Sequence, residues 1–385
     1  MRRIAPVLVV VAVFYAVLVP LRLDQHGTLW FAHIGDEFLR SAHTSHAIDS
    51  VHRTESPFGY DGQFYFFIAA DPSHAHDYMR VGTEDQSGIR YARVVYPAAA
   101  RLASAGSMAA LPAAMIALNL LAVVLGTAAV ALWLVRRGRT PWPAALYGLW
   151  PGVVYAVFRD LSEPLAYCFA ALALLVFDPR SNRRLAGAAG LLALSLLTRE
   201  TTIAFVVGLV AVIALHDRSW RRPVGFAAVS IAPMIVWRLA VTAWLHVTTI
   251  ESAHAGLKIL LPFYGMYARY PFDVQHKLIF YSVDLPLLLA GAGGLYLLFR
   301  RREVSAALLT VLNVALFVVF LPKNVTIDWG AVVRNATPAL LAALYLVPAI
   351  RNRLVLAAGA FFLSPAWYLI VAAWLGIRGL RFATT

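Results

Sequence analysis

Residues 108–135, MAALPAAMIALNLLAVVLGTAAVALWLV, decide the fold class. They carry no charged side chain and exceed the about 20 apolar residues an α-helix needs to cross a bilayer. Working outward, comparable blocks fall at 4–22, 142–158, 162–177, 185–198, 202–215, 223–246, 279–299, 304–322, 331–350 and 354–376, with polar punctuation between them. The blocks at 162–177, 185–198 and 202–215 are short for a span. The sequence therefore predicts an all-α integral membrane protein of about eleven transmembrane helices. All 385 residues form one polytopic unit. Arg2 and Arg3 give the first block the look of a signal peptide, but no small-x-small cleavage site follows, so it reads as an anchor.

Composition agrees. Of the 385 residues 61% are hydrophobic and 14% charged, and the mean hydropathy is +0.70. Soluble domains run about 45–50% apolar and about 25% charged. A β-barrel would alternate rather than run in blocks. The single cysteine, Cys168, excludes an internal disulfide. The net charge of +13 comes from 33 Lys plus Arg against 20 Asp plus Glu. In such a chain that surplus reads as loop charge setting orientation, not as a nucleic-acid footprint. With the N-terminus cytoplasmic, every second connection is short and basic. These segments hold sixteen arginines, from Arg2 to Arg353, against three acids, Asp178, Asp217 and Glu303. The expectation is a plasma-membrane protein, bacterial by composition, with its other face outward.

That count isolates residues 23–107 as a long extracytoplasmic loop with ten of the 20 acids and seven of the 11 histidines. A loop so long is functional or disordered, and its aromatic content, as in FGYDGQFYFFIAADP (58–72), favours order. RYARVVYPAAARLASA (90–105) reads as an amphipathic helix lying at or dipping into the membrane surface.

Charged residues at the outer ends of apolar helices are costly unless paired or wet, so each is a candidate for function. Asp36 and Glu37 lie in HIGDEF, Asp61 in GYDGQFY, and Arg90 and Arg93 in RYARVVYP. Arg159, Asp160 and Glu163 follow in FRDLSEP, Arg199 and Glu200 in LTRET, and Lys323 and Arg334 further on. Glu251, His254, Lys258, Arg269, Asp273 and Asp328 share this side, and Arg238 sits inside a span. Acids and bases gathered at one face suit a transfer reaction. A carboxylate takes a proton from an acceptor hydroxyl, and cations hold a leaving phosphate.

The order of features resembles the GT-C superfamily of polytopic glycosyltransferases. GYDGQFYFFIAADP followed by RYARVVYP is similar to the first-loop pattern of the GPI-mannosyltransferase branch, and closer to bacterial members with a YDGQFY loop. Tyr60 stands where the GPI branch has tryptophan. The Asp36–Glu37 pair is similar to the one after helix 1 in the protein O-mannosyltransferase and aminoarabinose-transferase branches. The resemblance implies an inverting transfer from a polyprenyl-phosphate sugar to a glycan, lipid or protein hydroxyl on the outer face.

On this reading Asp61, or else Asp36, is the general base. Arg90, Arg93 and Arg199 hold the donor phosphate. Glu37, Tyr60, Gln63, Tyr65, Arg159, Asp160, Glu163, Glu200, Lys323 and Arg334 line the substrate site. Plainer readings stand beside these. Asp61 could cap a helix beginning near Gln63. Asp160 with Glu163 could make a capping-box variant. Arg90 and Arg93, three apart on one helix face, could meet lipid headgroups. Arg199 and Glu200 could neutralise each other, and Tyr96 and Pro97 could end their helix. No metal site is read among the histidines: His43 with His46, and His74 with His76, lack a tight ligand signature. A carboxylate-bound divalent cation stays open, and no other cofactor is read. No glycine-rich phosphate loop or nucleophile elbow is present, and no loop could hold a nucleotide-sugar domain. The rival classes are a transporter or flippase or a polymerase for lipid-linked glycans, and a non-catalytic membrane scaffold.

Overall fold

The computed structural model describes residues 2–41, 58–81, 84–85, 87–217, 219–247, 274–320 and 329–350. Lys323, the block 354–376 and the candidates between Glu251 and Asp273 lie outside them, as do Asp328, His43 and His46. So does the side chain of Glu37, although its backbone is helical.

The described chain is helical, apart from a two-residue antiparallel ladder pairing Arg80–Val81 with Glu84–Asp85. Helix α1 spans Ala5–His26. Four short helices follow: α2 Asp36–Ser41, α3 Asp61–Ala70, α4 Ser87–Tyr91 and α5 Val95–Ala103. Then come α6 Leu111–Arg136, α7 Ala145–Gly148, α8 Pro151–Val157, α9 Glu163–Val176, α10 Asn182–Thr198, α11 Ile203–His216 and α12 Arg221–Leu245. Helix α13 (Val274–Ile279) continues through a π-turn, Phe280–Asp284, into α14, Leu285–Phe299. Helices α15 Val304–Phe320 and α16 Trp329–Leu344 complete the set.

Among the described residues four helices are long and apolar enough to cross a membrane: Ala5–His26, Leu111–Arg136, Arg221–Leu245 and Lys277–Phe299. Helices α9, α11, α15 and α16 are apolar but shorter. The architecture suits an α-helical membrane protein. Val9, Val13 and Val17 line an exposed face of α1, and Val229, Val236 and Leu239 one of α12. Apolar surface on that scale needs lipid or a partner to cover it.

The block 142–158 is not one helix. Pro151 has no N–H to give and disfavours helical backbone at the residue before it. Trp150 accordingly turns extended, and the segment splits into α7 and α8. Likewise 90–105 is not one helix. Arg90 lies in the last turn of α4, Arg93 lies between helices, and Tyr96 and Pro97 are buried in the first turns of α5 rather than ending it.

The polar ends sort by contact. Arg136 donates to the Leu175 carbonyl, Arg137 meets Glu303, Arg139 donates to the Pro348 carbonyl, and Arg222 meets Asp217 and Asn182. The connections read as one basic face thus meet at one end of the helices. Helices α3 and α5 instead pack against α6, and their core joins Phe38, Phe64, Phe67, Tyr96 and Leu161.

Candidate functional site

Two stretches of the long loop are laced backbone to backbone. The Tyr60 N–H donates to the His33 carbonyl at 2.8 Å. The Gln63 amide oxygen accepts from the Gly35 N–H at 3.0 Å, and its NH₂ donates to the Phe58 carbonyl at 3.0 Å. Gln63 therefore ties the start of α2, where Asp36 lies, to the start of α3. Gly59 takes φ +66° to bring the chain round, a conformation glycine adopts without steric cost. Gly62 packs so close to the Arg159 carbonyl that a Cβ would collide with it. These contacts seat the first turn of α3 against the α8–α9 connection.

Asp61 is the first residue of α3 and Tyr60 its N-cap, so the Asp61 side chain does not cap the helix. It lies instead between two guanidiniums, with Arg90 Nη2 at 2.8 Å from Oδ1 and Arg334 Nη1 at 3.0 Å from Oδ2. Burial alone would raise its carboxyl. Arg90, Arg334 and Arg93 overcome that and hold it below the usual carboxylate range. The positive end of α3 acts in the same sense.

A second carboxylate sits deeper. Glu163, 1% exposed, opens α9 and meets Arg199 Nη1 at 2.9 Å and Arg334 Nε at 3.2 Å. Arg199 also donates to the Asn335 side-chain oxygen at 2.9 Å. The third is Glu200, which takes Arg93 in a two-point contact, with Nε to Oε2 at 3.0 Å. Arg93 donates further to Tyr65 Oη at 3.2 Å, and Arg238 approaches Glu200 at 3.8 Å. Arg199 and Glu200 thus do not pair with each other; each reaches to a different helix. Arg90 and Arg93 likewise serve different acids, because the break after α4 turns them apart.

Aromatic rings complete the wall. The Arg159 guanidinium lies 4.5 Å from the Tyr60 ring centre and 4.7 Å from that of Tyr155. Arg334 lies 5.4 Å from Tyr60, and Arg90 5.0 Å from Phe64. His33 sits behind Arg159. Burial, then the charge of Arg159, pushes its imidazole well below the usual histidine value, so it stays neutral.

Asp160 is not a helix cap. The residue before Glu163 is Ser162, and Asp160 takes a left-handed φ of 46° with its carboxyl wholly buried beside Asn119. Burial pushes that carboxyl well above the usual range, and among the described residues it has no ion-pair partner. Asn119 also donates to Tyr96 Oη at 2.8 Å. This is a buried polar seam behind the cluster.

The structure thus brings Tyr60, Asp61, Tyr65, Arg90, Arg93, Arg159, Glu163, Arg199, Glu200 and Arg334 into one connected cluster. Asp36 lies at the head of α2, tied in through Gly35. Sequence reasoning missed Tyr155, which sits inside an apolar block, and Asn335, which has the form of a glycosylation triplet. Asn335 stands beside Arg199 from the end of α10, and Tyr155 beside Arg159, which follows it just past α8. Asp61, Glu163 and Glu200 each face guanidiniums. Among the described residues no three His, Cys, Asp or Glu side chains gather closely enough to hold a metal ion.

No family model, curated protein or solved structure matches the chain.

Proposed function

We propose that this chain is an integral membrane glycosyltransferase. It moves a sugar from a polyprenyl-phosphate donor to a hydroxyl acceptor on the outer face of a bacterial plasma membrane. The observation that carries the reading is Asp61, an ionised carboxylate at a helix start, held between Arg90 and Arg334 at the polar end of apolar helices. The sequence resemblance supports it.

In the reaction the acceptor oxygen attacks the anomeric carbon from the face opposite the phosphate. The bond from that carbon to the phosphate oxygen breaks with inversion, and the electron pair leaves with the phosphate. The hydroxyl proton passes to an Asp61 oxygen. Arginine donors aimed at the leaving phosphate contribute about 3 kcal/mol each when preorganised. Arg90 and Arg334 sit beside the carboxylate for this. Arg93 and Arg199 are held to Glu200 and Glu163 and keep the frame in place. Tyr60 and Tyr65 supply aromatic and hydroxyl surface to the sugar.

The test incubates protein in lipid with a panel of radiolabelled polyprenyl-phosphate sugars, comparing wild type with Asp61→Asn and Asp36→Asn. A variant that binds donor and no longer consumes it supports the reading and identifies the base. Donor carried across the bilayer unchanged, with both variants active, replaces it with transport.

A further inference from the structure

We propose that Arg159 is the first landing point for a phosphate group, and that a phosphate seated there draws Arg334 from Asp61 and frees the carboxylate to accept a proton. The last step rests on the transfer reading above; the anion site does not.

The arginines of the cluster are not equivalent. Arg90 is bound to Asp61, Arg93 to Glu200, Arg199 to Glu163, and Arg334 to both Asp61 and Glu163. Arg159 has no carboxylate within ion-pair distance among the described residues. Among the described residues its guanidinium is held by the Tyr60 and Tyr155 rings, with a neutral His33 close by. A partly buried cation set against two aromatic rings, without a counter-charge, is a place for an anion to supply one. Ring faces take up none of the guanidinium's N–H donors in strong hydrogen bonds, so these remain for phosphate oxygens.

The same ring links this site to the base. Both Arg159 and Arg334 lie within 5.4 Å of the Tyr60 ring centre. The two guanidiniums are therefore within about 10 Å of each other, close enough for a phosphate on Arg159 to draw the flexible Arg334 side chain toward it. Arg334 reaches Glu163 through Nε and Asp61 through Nη1. The Nε contact can persist as an anchor while Nη1 changes partner. The surrounding backbone is set for this: Gly152 of α8 packs on the Val333 backbone, and Gly330 packs on the Tyr155 ring. The arginine-bearing loop and α16 are thereby held at a fixed spacing. A carboxylate clamped by two guanidiniums is a weak proton acceptor; losing one strengthens it. Binding the donor would thus activate the base, and water would meet a clamped, idle carboxylate when no donor is present.

Asp61 and phosphate compete for Arg334, which makes a distinctive prediction. Affinity is measured for inorganic phosphate and for farnesyl phosphate, with the full chain in nanodiscs. Asp61→Asn should bind phosphate about tenfold more tightly than wild type, the gain of a charge-assisted contact released from competition. Arg159→Gln should bind it about tenfold more weakly, and Arg159→Lys should fall between. Farnesyl phosphate bound more tightly than inorganic phosphate would identify a lipid phosphate as the ligand; equal affinities would identify free phosphate. Phenylglyoxal labelling of wild-type Arg159, followed by mass spectrometry, should be blocked by the same probe and needs no variant. Unchanged or weaker binding in Asp61→Asn, or labelling of Arg159 indifferent to phosphate, overturns the proposal. Sugar transfer is assayed separately. Transfer without tightening sinks the exchange alone, and tightening without transfer from any donor leaves the exchange standing while the transfer reading fails.

Discussion

Arg334 Nη1 donates to Asp61 Oδ2 at 3.0 Å across 273 positions of sequence. This bond joins the loop after α1 to one of the last described helices, and the same guanidinium reaches on to Glu163. The cluster is therefore built of shared arginines, and each carboxylate's environment depends on a helix remote in the chain.

Asp61→Asn should keep the fold and lose turnover. The amide fills the same volume and keeps an oxygen toward one arginine, but takes no proton. A loss of about 10²–10⁴-fold in rate is expected, with helical content by circular dichroism unchanged. Full activity in this variant would shift the base to Asp36.

Glu163→Ala should be the more damaging change to stability. Glu163 is buried and counters both Arg199 and Arg334. Removing one partner of a buried ion pair costs about 3–5 kcal/mol because the other charge stays behind. Thermal unfolding in detergent should show a much larger fall in Tm than Asp61→Asn does. The double change Glu163→Ala with Arg199→Ala should recover part of it.

Gly62→Ala tests the seating of α3. Its Cβ would meet the Arg159 carbonyl, which is backbone and cannot swing aside. Overpacking of this kind costs about 1–3 kcal/mol. The displacement should also weaken the Asp61–Arg90 contact, so activity should fall along with Tm. Gly187→Ala, where nothing lies within 4 Å, is the control.

Acid should separate wild type from Asp61→Asn. The Asp61 carboxyl titrates lower folded than unfolded. Its stabilising contribution is therefore complete above the ordinary aspartate value of about 4 and is lost as pH falls through the folded value. Tm measured downward from pH 6 should decline more steeply for wild type than for the variant. Parallel declines would show that the two arginines do not set the carboxylate's charge.

Much was legible in the linear sequence. Blocks without charge have to be helices buried in lipid or protein, because only a helix satisfies its own backbone there. Hence α1, α6, α12 and the helix Lys277–Phe299 appear close to their predicted places. The loop acids and arginines were also legible as candidates, since charges beside apolar helices are costly unless used. The sequence could not say which arginine meets which acid. Spacing suggested that Arg90 acts with Arg93, and Arg199 with Glu200. A break after α4 and the turn after α10 send each to a different partner. Nor did Tyr155 or Asn335 stand out, because an aromatic in an apolar block and an asparagine in a helix acquire a role only from what packs against them. Local pattern determines helices because hydrogen bonding and burial are periodic along the chain. Ion pairs form between side chains up to 273 residues apart, and only the packing of the helices decides them.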